Sequence, residues 1–174
     1  MRPSSRQQTR AAFTLLEILV VVILLGILAA IVIPKFSNAT ETARSSMMAE
    51  NLRIIRTQLE VFKGQHNGIA PGYPDLDTTQ APTEAAFIAH MTQSSKATGE
   101  LAAAGTAGFP FGPYLRQIPE NSINANSGVE VLADGAALPA AADDSDGWLY
   151  QPSTMTFKAD CKGTDETGRD YFDY

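Results

Sequence analysis

Glu17 is the residue whose placement asks for a chemical explanation. It is the only charged side chain between Phe13 and Ile33, a stretch whose other polar member is Thr14. A carboxylate near the start of a membrane helix costs energy unless it stays at the wet interface, is neutralised or meets a cation. The interface reading needs nothing more. The alternative needs a positive partner, and a chain cut just before Phe13 would present one as a new α-amine. Such a pair attracts strongly in a low dielectric while each charge loses its hydration, so it serves specificity and register more than stability.

The other reactive groups are few. His66 and His90 are the only histidines and Cys161 the only cysteine. Neither histidine sits in a metal-ligand spacing, and one cysteine excludes an internal disulfide and a four-cysteine zinc site. The chain has no GxSxG, no HExxH and no glycine-rich phosphate loop. The residues therefore point away from an enzyme; a membrane-tethered enzyme or sensor domain is the reading from another class. Asp143, Asp144 and Asp146 stand together before Gly147. Carboxylates of this kind suit calcium, which takes roughly six to eight oxygen ligands. A solvated acidic loop is the simpler account, and an EF-hand is excluded by the spacing.

Glu17 lies in an element of unusual character. From Ile18 to Ile33, 16 consecutive residues carry no polar side chain, and Phe13–Ile33 makes 21 residues. About 20 residues of helix span a hydrocarbon core of about 30 Å. Arg2, Arg6 and Arg10 precede the run without any acidic residue. The positive-inside rule keeps that leader cytoplasmic and sends the rest across. A secretory signal peptide is cut after its apolar run at a small-x-small site; here the run leads straight into more helix, so the apolar segment is expected to stay. Pro34 removes a backbone donor and crowds the preceding turn, which predicts a kink or break near Leu28–Ile33, with Gly26 a second weak point.

The segment A-FTLLEILVVVILLGILAAIVIPKF resembles the N-terminus of the type IV pilin family, and most of all the major pseudopilins of type II secretion systems. The likeness covers residues 10–65, with shorter stretches at 109–121 and 147–160. It implies that a prepilin peptidase removes the leader between Ala12 and Phe13, and that the Phe13 amine is then methylated. The family usually has Gly before the cut, where Ala12 stands. Glu17 falls on the family's acidic fifth position and Pro34 on the proline that ends the apolar half of the helix. The resemblance further implies an inner-membrane, single-pass subunit with its C-terminal domain in the periplasm. Its expected partners are copies of itself in a helical filament, other pseudopilins, the peptidase and an inner-membrane assembly platform. Type IV pilins for adhesion or motility and minor pseudopilins are the neighbouring alternatives. Major pseudopilins often bind calcium in a loop beside the C-terminal sheet, which gives the aspartates at 143, 144 and 146 a second reading as Ca2+ ligands.

Beyond Pro34, Met48, Leu52, Ile55, Leu59 and Phe62 recur at helical spacing and predict an amphipathic helix that ends near Gly64–Gly68. Pro82 to Ser94 reads as a short helix started by Thr83, with Ala86, Phe87, His90 and Met91 on one face. Residues 99–108 read as an exposed loop, and 109–121 as a segment packed back on the long helix. VEVLAD, GWLYQP and MTFKAD read as three strands. The expected fold is α+β and pilin-like: a long, kinked N-terminal helix packed on a small antiparallel β-sheet. The expected divisions are a leader at 1–12, a membrane or filament-core helix at 13–35, its amphipathic continuation at 36–67 and a loop-rich domain at 68–174.

Charge agrees with a role away from nucleic acid. The chain has 13 basic and 19 acidic residues, net −6; loss of Arg2, Arg6 and Arg10 leaves 10 basic residues and net −9. No basic cluster in residues 36–174 offsets that balance, so a nucleic-acid partner is not expected.

Overall fold

A computed structural model describes residues 13–174, without the side chains of residues 34–38. Residues up to Thr40 and residues Glu41–Tyr174 form two compact units. One helix, α1 (Leu15–Gln65), contributes to both. The leader and Ala12 lie outside the described residues. The backbone is helical at Gly26 and at Pro34.

The second unit is built on the apolar stripe of α1. Met48, Leu52, Ile55, Leu59 and Phe62 are all buried, as their spacing predicts. Over them lies α2 (Glu84–Thr92), whose first turn is capped by Thr83, its Oγ1 accepting from the Ala86 amide at 3.2 Å. Phe87, His90 and Met91 form the buried face of α2.

The principal sheet has the order β3 (Val129–Val131), β4 (Trp148–Gln151), β5 (Thr156–Ala159). The pair β4–β5 is antiparallel, with Tyr150 opposite Phe157. The pair β3–β4 is parallel, with Val129 opposite Trp148. The sheet is therefore mixed rather than antiparallel throughout. The cause is the connection: residues 132–147 are long enough to carry the chain back to the start of the next strand, which a tight turn cannot do. QPST makes a short 3-10 turn, Pro152–Thr154, closed by Met155 in the left-handed region at φ 56°. Residues 99–108 are not entirely loop, since β2 (Leu101–Ala102) pairs antiparallel with β1 (Ser94–Ser95).

All four residues of β4 are buried, because both faces of the sheet are covered. On one face Trp148, Tyr150 and Phe157 meet the stripe of α1 and Phe87, with ring centroids 4.8 Å apart for Phe87–Tyr150 and 5.6 Å for Trp148–Phe157. The Trp148 indole N–H donates to the Pro119 carbonyl at 2.8 Å, which satisfies its polar end. On the other face Leu149 packs with Ala142 and Phe172. The C-terminal segment thus supplies part of the core, and Tyr171 is buried with it.

Three asparagines tie the crossover together. Asn121 Nδ2 donates to the Gly147 carbonyl at 2.9 Å, and Asn124 Nδ2 to the carbonyls of Asp146 at 2.8 Å and Asp160 at 2.9 Å. Asn126 caps its own turn through the Gly128 amide at 2.9 Å. Gly147 is required by this close approach, because a Cβ there would run into the Asn126 carbonyl.

Both histidines are core residues. His66 stacks on Phe62, with centroids 3.8 Å apart, and its Nδ1 donates to the Phe62 carbonyl at 2.8 Å. Its Nε2 is then left to accept from the Ser95 hydroxyl at 2.9 Å. His90 Nδ1 accepts from the Gly72 amide at 3.1 Å. Burial, reinforced by the neighbouring His66, pushes the His90 pKa down to about 4. The folded state therefore binds fewer protons at His90 than the unfolded chain. The stability this group contributes is complete above about pH 6.5 and is lost as pH falls from there toward 4. Urea melts of the full chain in detergent should lose on the order of 2–3 kcal/mol from this group between pH 7.5 and 4.5. His90→Gln, which can accept from Gly72 without titrating, should flatten that part of the slope. An identical slope in the variant would remove His90 from the account.

Candidate functional site

The N-terminal unit offers a surface rather than a cleft. Leu15–Ile33 is 19 residues long, the one helical stretch among the described residues long and apolar enough to cross a membrane, and none of it is buried within the chain. Phe13 is 79% exposed and Leu15 85%. A contiguous apolar face of this size on a water-soluble protein would be an aggregation site; in lipid or against other helices it is an ordinary packing surface.

Glu17 has a local role that the spacing T-L-L-E announces and that the reading from charge alone missed. Thr14 is the residue before the first helical position, and Glu17 is three residues on. The Glu17 amide donates to Thr14 Oγ1 at 3.2 Å, while the Thr14 amide and hydroxyl each donate to Glu17 Oε2 at 3.2 Å. This is a reciprocal capping box, which satisfies amides that the first turn leaves without helical partners. The carboxylate also sits at the positive end of the helix dipole. Both contacts fall on Oε2; among the described residues no hydrogen bond is found at Oε1, so the cap itself does not use that oxygen.

The acidic loop is closed by the chain itself. Asp160, only 3% exposed, accepts from the amides of Asp143 at 2.9 Å and Asp146 at 3.1 Å and from the Ser145 hydroxyl at 3.2 Å. The Ser145 side chain first, and then the Ser145 amide donating to Asp143 Oδ1 at 2.8 Å, hold the Asp143 carboxyl below its usual range. Asp144 Oδ1 accepts from the Lys162 amide at 2.8 Å. The Lys162 ammonium donates to the Asp143 carbonyl at 2.6 Å and stands 3.7 Å from Asp144 Oδ2. Asp146 is different: burial raises its pKa first, and then repulsion from Glu84, Asp160 and Asp143.

As arranged, this donor set does not fit a calcium ion. Among the described residues no group of three or more His, Cys, Asp or Glu side chains converges on one point. The carboxylates at 143, 144 and 160 already accept from the chain, and the Lys162 ammonium lies against the Asp143 carbonyl and the Asp144 carboxylate. Asp165 and Glu166 face elsewhere. Asp165 accepts from the Thr167 amide and hydroxyl and from the Tyr174 hydroxyl, contacts that hold it well below the usual carboxylate range. Glu166 accepts from Thr42 at 3.0 Å. Cys161 is buried against the Met48 sulfur at 3.8 Å, and burial pushes its thiol up to about 11, the setting of a packing residue.

Comparison with known proteins points the same way as the N-terminal helix. Residues 8–33 match the prokaryotic N-terminal methylation motif. The chain is 24% identical to type II secretion system core protein G of Klebsiella pneumoniae over 151 residues, 81% of this chain and 96% of the relative. It is 23% identical to the protein of the same name from Dickeya chrysanthemi over 152 residues, 82% and 88% of the two chains. Over a shorter 58 residues, 33% of this chain and 41% of the relative, identity to the Pseudomonas aeruginosa protein rises to 34%. No solved structure matches the chain.

The capping box can be tested apart from any assembly. Thr14→Val removes the acceptor for the Glu17 amide and should cost about 1 kcal/mol of helix-start stability. In detergent micelles, amide exchange at Leu16 and Glu17 should quicken roughly fivefold, with membrane insertion unchanged. Unaltered exchange would show that the cap contributes nothing.

Proposed function

The chain belongs, as a homologue, to the major-pseudopilin family of type II secretion systems, a family of structural and non-catalytic subunits, and on that premise we propose that it polymerises through its N-terminal helix into a filament that helps export folded proteins. The observation that carries this reading is the apolar helix Leu15–Ile33, which no other described residue covers and whose first turn carries Glu17 in a capping box with Thr14. One such helix suits inner-membrane anchoring before assembly.

In this reading prepilin peptidase cuts between Ala12 and Phe13, residues 1–12 are lost, and the Phe13 amine is methylated. Residues 13–35 form the membrane and filament-core helix, 36–67 its amphipathic continuation, and 68–174 the loop-rich domain. Subunits wait in the inner membrane and are added by an assembly platform, alongside other pseudopilins. Moving an apolar helix from lipid to a helical bundle exchanges one apolar environment for another, so the hydrophobic effect gives little net drive. Shape and polar pairing must therefore choose the partner. Glu17 supplies the pairing, the carboxylate oxygen that the cap does not use meeting the Phe13 amine of a neighbouring subunit. Gly26 and Pro34 are the places where the helix would yield if packing demands it.

The capping box separates two roles of Glu17. Glu17→Ala loses both the cap and the charge, whereas Glu17→Gln keeps an oxygen for the Thr14 amide and loses only the charge. Both variants should insert in the membrane normally and yield roughly tenfold fewer filaments, the effect of about 1.4 kcal/mol per subunit addition. Filaments scored by shearing and electron microscopy at wild-type abundance in Glu17→Gln would leave only capping for this residue. Wild-type abundance in both variants would remove the pairing altogether.

A further inference from the structure

The resemblance implies calcium beside the C-terminal sheet, and the side chains found there do not fit it. The same region nonetheless has to be fastened. It contains a long crossover and a segment, Asp160–Tyr174, with little regular structure, and the single cysteine cannot close either with an internal disulfide. The fastening falls to cationic side chains that reach this region from three places in the fold. Arg56, on α1, donates from Nε at 3.0 Å and Nη2 at 2.7 Å to the Phe157 carbonyl of β5, and from Nη2 to the Tyr174 carbonyl at 2.9 Å. Lys158, on β5, donates to the Phe172 carbonyl at 2.7 Å with its ammonium 4.0 Å from the Phe172 ring centroid. Lys162 joins the Asp143 carbonyl and the Asp144 carboxylate, the two ligand types that calcium would otherwise take from that loop.

We propose that the chain's own cations, Arg56, Lys158 and Lys162, hold loop 143–146 and segment Asp160–Tyr174 in place of a calcium ion. A divalent ion held by the Asp143 carbonyl and the Asp144 carboxylate would have to displace the Lys162 ammonium. Arg56 is the strongest member, because its fork is half-buried and binds helix, sheet and C-terminal segment at once. Lys162 is exposed, and an exposed pair of this kind contributes little to global stability. Its effect is local, on the order of the loop. The proposal concerns the folded subunit and stands independently of whether that subunit polymerises.

The test uses the full chain in detergent, by thermal melting and by hydrogen exchange of residues 143–146 and 160–174. Wild-type protein should melt at the same temperature in millimolar calcium chloride and in excess EGTA, with equal protection of both segments. Lys162→Met should speed exchange in 143–146 and leave the melting temperature nearly unchanged. Arg56→Met should lower the melting temperature by roughly 5 °C or more and expose 160–174. Arg56→Lys should recover only part of that loss, since an ammonium cannot reproduce the forked contact. Calcium that raises the wild-type melting temperature by several degrees would overturn the proposal. So would Lys162→Met with wild-type exchange, a result that needs no folding of the Arg56 variants to interpret.

Discussion

One backbone helix has to satisfy two environments. The stretch Leu15–Ile33 presents apolar side chains all round, and none of the other described residues covers them. The stretch from Met48 to Phe62 presents a single apolar stripe, and the remaining domain is built to cover it. The helix can continue from one regime to the other because its hydrogen bonds are internal and need neither water nor neighbours. Everything else follows from that continuity. The first regime demands lipid or other helices, and the second demands a domain of modest size whose core is centred on α1.

That domain is small, and it uses its aromatic residues on both sides of one strand. Trp148 and Tyr150 point into the core under α1, and Leu149 points into the second cluster with Ala142 and Phe172. A three-stranded sheet with one open face would leave Leu149 in water. The crossover 132–147 and the C-terminal segment close that face. This is why the irregular parts of the chain are ordered by so many side-chain contacts: Asn121 and Asn124 on the crossover, Asp160 beneath the acidic loop, Arg56 on the C-terminal segment. Polar groups that would be costly to bury alone are buried here with partners.

Glu17 illustrates how a residue can hold two roles without conflict. A carboxylate at the third position of a helix is stabilised by the helix itself, through the Thr14 amide and the dipole. That placement makes the acid tolerable at the edge of an apolar segment before any partner arrives. The cap does not use Oε1, so the intermolecular role proposed for Glu17 needs no rearrangement of the cap.

The elements whose signals are local and periodic are legible in the chain before it folds. The length and purity of Phe13–Ile33 specified a helix for an apolar environment, the 4-3-4-3 spacing of Met48 to Phe62 specified its buried stripe, and Thr83 marked the start of α2. The T-L-L-E cap was equally legible, being a local pattern. The parallel pairing of β3 with β4 is settled by the folded chain, because strand direction depends on how residues 132–147 return, which no periodicity encodes. The fold alone brought both histidines to Phe62, His66 stacked on its ring and His90 tilted against it. It alone brought Lys162 to the Asp143–Asp144 loop and Arg56 to Tyr174, residues separated by 118 positions in the second case. Three aspartates within four residues look like a cation site in one dimension. Whether the cation is a metal or a lysine depends on which distant side chain the fold delivers there.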